Sequence, residues 1–511
     1  MKKIFTLLAF FVLAKTQPVY SQSVLNPADP LVTYNPANPP TQPPYGQIGK
    51  WVRTVRMDWN TSMYKAYIYK GLAFRLHFPK TYNPTANDGK KYPLLLFFLG
   101  HGEYGPITDN EFHLLLGHQG FSDAVNNGTF DGYILSPQST DFFNIVDYEK
   151  LIEIIDYMIQ NNKLDPFRIT VNGLSQGGEA SWEMVSRFPH YIAAASPMSW
   201  TQTNYADPAF VNKVKFNPVW HFQGSDDINP TPSTTNTVKT AMVNAGAQFK
   251  NTEYPGVGHG TWWFAWGEQD FWPFHNRAYS SNPWQLGGRK NLWPGSAINE
   301  TIGLAQGFSA YEWRKDGVVI PGATSNTIQA TTGGIYDARV MRNGVWSDWS
   351  RIPVIIRPGR YEAEDYTTMS GVLTQNTEDV GGGLNVGWLD QGDWMDYSIN
   401  PTSAGTYTLN FRIATPAGGG QILVKKGDGT NLASVAVPST GGWQTWQTIS
   451  TTVTLAAGAQ TIRIQSGTTN GWNFNWMEFA TGGTVQNQPP TVSAGADQSI
   501  VLPANSVTLS G

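Results

Sequence analysis

Short, continuous apolar runs closed by glycine recur in the first half of the chain, as in PLLLFFLG (93–100) and PVWHFQG (218–224). Runs of this length without a polar break suit strands covered on both faces. Between them Leu151, Ile154, Ile155, Met158 and Ile159 return at helical spacing and predict a helix beginning near Asp147. Strand runs alternating with helical periodicity continue to about residue 285, which predicts a parallel-rich sheet covered by helices over residues 22–285.

After NPWQLGGRKNLWPG the helical period fades, and short β-rich segments with turn signals follow over residues 286–358. There Trp313 in one strand and Tyr336 after TTGG resemble the core tryptophan and corner tyrosine of an immunoglobulin-like sandwich, without its two cysteines. A second β-rich module is expected over 359–481, entered through RPGR. The final segment, 482–511, reads as a linker and the opening strands of a polycystic-kidney-disease-like sandwich. Too short to bury a core, it implies a natural polypeptide that continues past Gly511.

The first residues read as an address. Lys2 and Lys3 precede the apolar run Ile4 to Ala14, and Val19-Tyr20-Ser21 suits a signal peptidase, so residues 1–21 are expected to be removed on export. No apolar run reaches the ~18 residues of a membrane span, and a secreted protein is expected. A net charge of -4 without a basic run argues against nucleic acid as a partner. With no cysteine in the chain, thiolate catalysis, disulfides and Cys-based metal sites are excluded. The 20 tryptophans and the low charged fraction, 14%, suit a protein that handles polysaccharide.

Gly173-Leu174-Ser175-Gln176-Gly177 is a G-x-S-x-G match between a strand, FRITVN, and a helix, GEASWEMVSRFP. That context turns a common loop composition into a candidate nucleophile elbow, where the serine sits in a strained backbone and neighbouring side chains would clash. A serine hydroxyl needs a base, and His259 in YPGVGHGTWW is the candidate. The carboxylate that holds the imidazole's tautomer is sought in HFQGSDDINP. Asp227, three residues after the glycine, is preferred; counting back from the proline selects Asp226. Serine, acid, histidine is the chain order of α/β-hydrolases. An acyl-transfer site also needs donors for an oxyanion, and the N–H of Gln176 is one.

GHGEYG (100–105) resembles the HGxGERG loop of secreted esterases that include feruloyl esterases, acetylxylan esterases and relatives of polyhydroxybutyrate depolymerase. YILSPQ, DPFRITVNGLSQGGEASWEMVSRFPHYIAAASPMSW and YPGVGHGTWWFAW follow in the family's order. This resemblance implies an α/β-hydrolase fold and makes the amide of His101 the second oxyanion donor. Leu99 stands where the family has histidine and Tyr104 where it has arginine.

RYEAEDY, NVGWLDQGDWMDY, GTYTLNFRIA, STGGWQTWQT and GWNFNWMEF together resemble the family 6 carbohydrate-binding modules. The resemblance implies a sugar held between Trp388 and Trp443 with a hydrogen bond from Asn473, and Trp394 and Trp476 as core. It also implies a structural calcium at Glu362, Glu364 and Asn475, the last standing where an acidic residue is usual. No cofactor is expected for catalysis.

The combined expectation is a secreted serine esterase that removes feruloyl or acetyl groups from plant cell-wall polysaccharide, with xylan or β-glucan as the partner of its binding module. Two other classes stay open: a secreted serine peptidase with the same triad, and a catalytically silent adhesive protein. A metal cluster of His101, Glu103, His113 and His118 is not expected, because its spacing matches no ligand motif. The aromatic tract TWWFAWGEQDFWPF after His259 is read as either a phenolic acyl pocket or ordinary core.

Overall fold

The computed structural model describes residues 23–29, 46–50, 59–105, 113–380 and 382–481, so the expected signal peptide and the segment 482–511 lie outside the described residues. Two compact units account for the described chain: residues up to 290 with 297–356, and 291–296 with 357 onward.

The first unit is built on a nine-stranded sheet. Its strands are β1 (Ile48–Lys50), β2 (Tyr64–Tyr69), β3 (Leu72–His77), β4 (Tyr92–Phe98), β5 (Tyr133–Gln138), β6 (Leu164–Leu174), β7 (Ala194–Met198), β8 (Val219–Gly224) and β9 (Phe249–Tyr254). They lie in the order β1-β2-β3-β5-β4-β6-β7-β8-β9. The first four in that order pair antiparallel, and every pairing from β5 to β9 is parallel. All residues of β4 and β8 are buried, as their unbroken apolar runs require of strands covered on both faces.

Helices α1 (His118–Asn127), α2 (Ile145–Asn161), α3 (Gln176–Arg187), α4 (Pro208–Val214), α5 (Pro232–Asn244), α6 (Trp262–Ala265) and α7 (Phe271–Arg277) fill the connections. The start of α2 shows why. Asn144 caps it, accepting from the amides of Val146 and Asp147, while Asp147 accepts from the Asn144 amide, a reciprocal capping box. Tyr148, Leu151, Ile154, Ile155 and Met158 then form its buried stripe. Ile159, expected on the same stripe, is only partly buried against the core. Among the described residues no helix is long and apolar enough to cross a membrane.

Residues 297–356 pack into this same unit. Strand Ala310–Lys315 pairs with Gly334–Arg342, and Trp313 is fully buried with its indole N–H on the carbonyl of Ser325 at 2.8 Å. Tyr336 donates its hydroxyl to the carbonyl of Thr332 at 2.7 Å, the corner contact its sequence position suggested. From the end of that strand Arg342 enters the α/β layer. Its guanidinium donates to the carbonyls of Pro166 and His190 and lies 4.3 Å from the Tyr191 ring. Burial draws its pKa down to about 10.

The second unit is a sandwich of two antiparallel sheets. One contains Leu373–Asn376, Leu384–Gly387, Asn473–Thr481, Gly405–Thr415 and Gly442–Leu455, with Arg360–Glu362 against Asn473–Thr481. The other orders Thr368–Ser370, Trp394–Ile399, Gln460–Ser466, Gly420–Lys426 and Asn431–Val437. Trp293, far from these strands in sequence, is buried in their core, 4.8 Å from the Phe479 ring and 5.1 Å from Tyr407. Trp476 is buried, as expected of core, with Arg360 4.6 Å from its ring, whereas Trp394 is only partly buried and carries Arg463 3.6 Å from its ring. A planar guanidinium covers the partly exposed face of the Trp394 indole.

Candidate active site

Ser175 stands between β6 and α3 with φ +54° and ψ -122°, outside the conformations a side chain ordinarily takes. The elbow is possible because its neighbours are glycines. A Cβ on Gly173 would fall 1.9 Å from the carbonyl oxygen of Gly177, and one on Gly177 would fall 2.2 Å from that of Phe98 in β4. The amide of Ser175 donates to the carbonyl of Met198 across 3.0 Å, which ties the turn to β7. The strain is held by packing from two neighbouring strands.

His259 Nε2 lies 2.9 Å from Ser175 Oγ, and its Nδ1 lies 3.0 and 3.2 Å from the two carboxylate oxygens of Asp227. Asp227 is buried after β8, and its Oδ1 also accepts the amide of Asn229 at 2.9 Å. Asp226 is exposed and receives the Ser225 hydroxyl instead. Of the two aspartates, Asp227 is therefore the one against the imidazole. A residue not anticipated from sequence supports the arrangement: Ser199, at the end of β7 with φ +49°, donates its hydroxyl to the carbonyl of His259 at 2.6 Å.

His101 opens a short 3-10 turn, His101–Glu103, directly after β4, and Gln176 opens α3. The first amides of a helix have no acceptor within it, so both N–H groups are free of intrahelical bonding. The two residues meet side chain to side chain, His101 Nδ1 to Gln176 Oε1 at 3.2 Å. A Cβ on Gly100 would sit 3.5 Å from that of Ser175, so the turn lies directly beside Ser175. Glu103 points into this region. His113 and His118 lie elsewhere, buried ring to ring at 6.1 Å, and burial pulls His118 down to about 3, which keeps it neutral.

The aromatic tract after His259 divides. Trp266 and Trp272 pack on Phe121 within the core, while Trp263 and Phe264 are 62% and 51% exposed. Trp200, whose Cβ lies where a side chain on Gly178 would need to be, pairs with the half-exposed Phe142 at 6.3 Å. The elbow's surroundings thus offer apolar faces as well as the polar triad.

In the sandwich unit Trp388 and Trp443 are 49% and 50% exposed, large flat faces turned to solvent. Trp388 has φ +53°. Asn473 is buried rather than presented: its amide donates to the carbonyl of Trp443 at 2.7 Å, and a Cβ on Gly387 would meet its Oδ1 at 2.7 Å. It links the segments that carry the two indoles. Of the three residues expected to hold calcium, Glu362 and Asn475 each have a side-chain partner. Both oxygens of Glu362 are taken by the Arg360 guanidinium at 2.6 and 3.2 Å, and Asn475 donates to Asp379, which pairs with Arg412. Among the described residues no group of three or more His, Cys, Asp or Glu is placed to hold a metal ion.

Comparison with known proteins bears on this second unit. The sequence model of the carbohydrate-binding module (family 6) matches residues 362–481. Arabinoxylan arabinofuranohydrolase of Paenibacillus polymyxa is 36% identical over 134 residues, 24% of this chain and 21% of that protein. The chain spans only about a fifth of the length of the first curated relatives it matches. The family 6 module CBM6cm-2 of Cellvibrio mixtus lichenase 5A, solved with cellotriose, is 39% identical over 24% of this chain and 97% of its own, with a TM-score of 0.24. A thermostable esterase is 24% identical, covering 42% of this chain and 63% of its own, with a TM-score of 0.38. By sequence, residues 362–481 belong to the family 6 carbohydrate-binding modules.

Proposed function

We propose that the first unit is an α/β-hydrolase-type serine esterase, exported from the cell, that removes feruloyl or acetyl groups from plant cell-wall polysaccharide to which the family 6 module holds it. The observation that carries this reading is the unbroken hydrogen-bonded line from Ser175 through His259 to a buried Asp227. The strand order of the sheet and the position of the serine between a strand and a helix support it.

In this reading Ser175 Oγ attacks the ester carbonyl as His259 Nε2 takes its proton. Asp227 holds the proton on Nδ1, so that Nε2 is free to accept, and offsets the positive charge the ring acquires. Negative charge on the carbonyl oxygen falls to the amides of His101 and Gln176. The imidazolium then gives its proton to the departing sugar oxygen, and water repeats the sequence on the acyl-enzyme. Xylan and β-glucan are the polysaccharides proposed for the module, whose exposed indoles suit the apolar faces of sugar rings. Tethering raises the local concentration of ester without entering the chemistry.

Release measured side by side from methyl ferulate, acetylated xylan, a short-chain nitrophenyl ester and a peptide amide tests the reading. Turnover of one or more esters with the amide untouched is expected. Cleavage of the amide in preference to every ester would make the protein a peptidase.

A further inference from the structure

Glu103 is a carboxylic acid for which the triad has no use, yet it is 4% exposed and lies at the nucleophile elbow. Its Oε2 has no hydrogen-bond partner among the described residues. A Cβ on Gly100 would come 3.3 Å from that oxygen, 2.8 Å from Leu174 Cδ1 and 3.5 Å from Ser175 Cβ. The carboxyl group therefore fills space beside Gly100, the residue before His101, whose N–H is one of the two oxyanion donors proposed above. The Glu103 amide in turn donates to the Gly100 carbonyl at 3.2 Å, closing the turn.

Burying an unpaired carboxylate is costly, so a carboxyl group in this place keeps its proton. Desolvation pushes Glu103 up to about 7, against the pull of the nearby backbone amides of Gly100 and Glu103 itself. Its own turn presents His101, whose ring faces Gln176, and Tyr104. The elbow presents Leu174 and Ser175, with His259 beyond. Glu179 and Asp141 act on the Tyr104 phenol, and no cation pairs with Glu103 among the described residues.

We propose that Glu103 is a positioning residue of the oxyanion turn that supports acyl transfer only as the neutral acid. Ionised, it would set a negative charge beside the carbonyl oxygen as that oxygen itself becomes negative, and would draw the Gly100 and His101 amides toward itself. The inference rests on the serine-esterase reading and adds a pH limit that the triad alone does not impose.

The test uses the full chain and the neutral isostere Glu103→Gln, with Glu103→Ala beside it. The rate at which a fluorophosphonate labels Ser175 is followed from pH 5.5 to 9, with the labelled residue identified by peptide mapping. Wild type and Glu103→Gln should both be labelled at Ser175 at the low end of this range. Wild type should decline above about 7 while Glu103→Gln does not, so their ratio climbs roughly thirtyfold by pH 8.5. Glu103→Ala, which empties the space, should be slow throughout. Parallel wild-type and Glu103→Gln profiles with Ser175 labelled would overturn the inference and leave the esterase reading intact. No labelling of Ser175 in wild type would overturn both.

A readout independent of chemistry follows from linkage. A carboxyl whose folded pKa lies above its unfolded value adds stability that is complete below the ordinary carboxylate range and is lost as pH rises through about 7. Melting temperatures of Glu103→Gln and wild type should therefore diverge in favour of the variant between pH 4.5 and 7. A constant difference over that range would contradict a neutral buried acid.

Discussion

Ser199 and His259 are joined by a 2.6 Å hydrogen bond from hydroxyl to backbone carbonyl, so the loop carrying the imidazole is held from the end of β7. The adjacent strand, β6, ends at Leu174, directly before Ser175. Ser175 and His259 are thus held at neighbouring strand ends, where Ser175 and Ser199 both have positive φ.

Removing that hydroxyl in Ser199→Ala leaves the triad's own groups in place but frees the His259 loop. Turnover should fall by roughly 10–100-fold while KM changes little, because misplacement of a reacting group is felt mainly in the chemical step. Steady-state kinetics on a soluble nitrophenyl ester measure the split. A change confined to KM would mean that Ser199 shapes the binding surface and does not position the base.

Asp226 and Asp227 differ by one residue and by whether they reach Nδ1. Asp227→Asn should lower turnover by about 10⁴-fold, by allowing the wrong imidazole tautomer, whereas Asp226→Asn should stay near wild type. Comparable mild losses in both would leave the imidazole without its assigned partner.

Sequence made the elbow legible because its requirements are local: glycines on either side of Ser175, an apolar strand before and a helix after. It left the aspartate open, since a turn after β8 decides which of two adjacent side chains is buried. Contacts between distant segments were less accessible. Arg342 in a strand reads as a solvent-facing charge, yet it crosses into the α/β layer, and Trp293 in a proline- and glycine-rich stretch is buried in the second unit's core. Glu103 was legible only as an unconvincing metal ligand, because nothing local reveals that the chain closes over it. For calcium, the acidic pair is visible in the sequence, but the pairing of Arg360 with Glu362 is not.

In the carbohydrate-binding module, Asn473 and Trp443 should behave as one unit. Trp443→Ala should weaken retention on xylan or β-glucan in affinity electrophoresis by about tenfold or more, as loss of a stacking face does. Asn473→Ala should produce a comparable loss although its side chain is buried, because it frees the Trp443 carbonyl. Neither change should alter turnover of a soluble ester. Full retention in Asn473→Ala would show that the indole keeps its place without the amide.

The central claim is that Ser175 carries the acyl group. Mixing the protein with excess 4-nitrophenyl acetate, quenching in acid within the first turnovers and mapping peptides by mass should place one acetyl group on Ser175, with a matching burst of nitrophenol where deacylation is the slower step. Ser175→Ala should show neither adduct nor burst. Acetyl groups on some other residue, or undiminished ester hydrolysis in Ser175→Ala, would contradict the account.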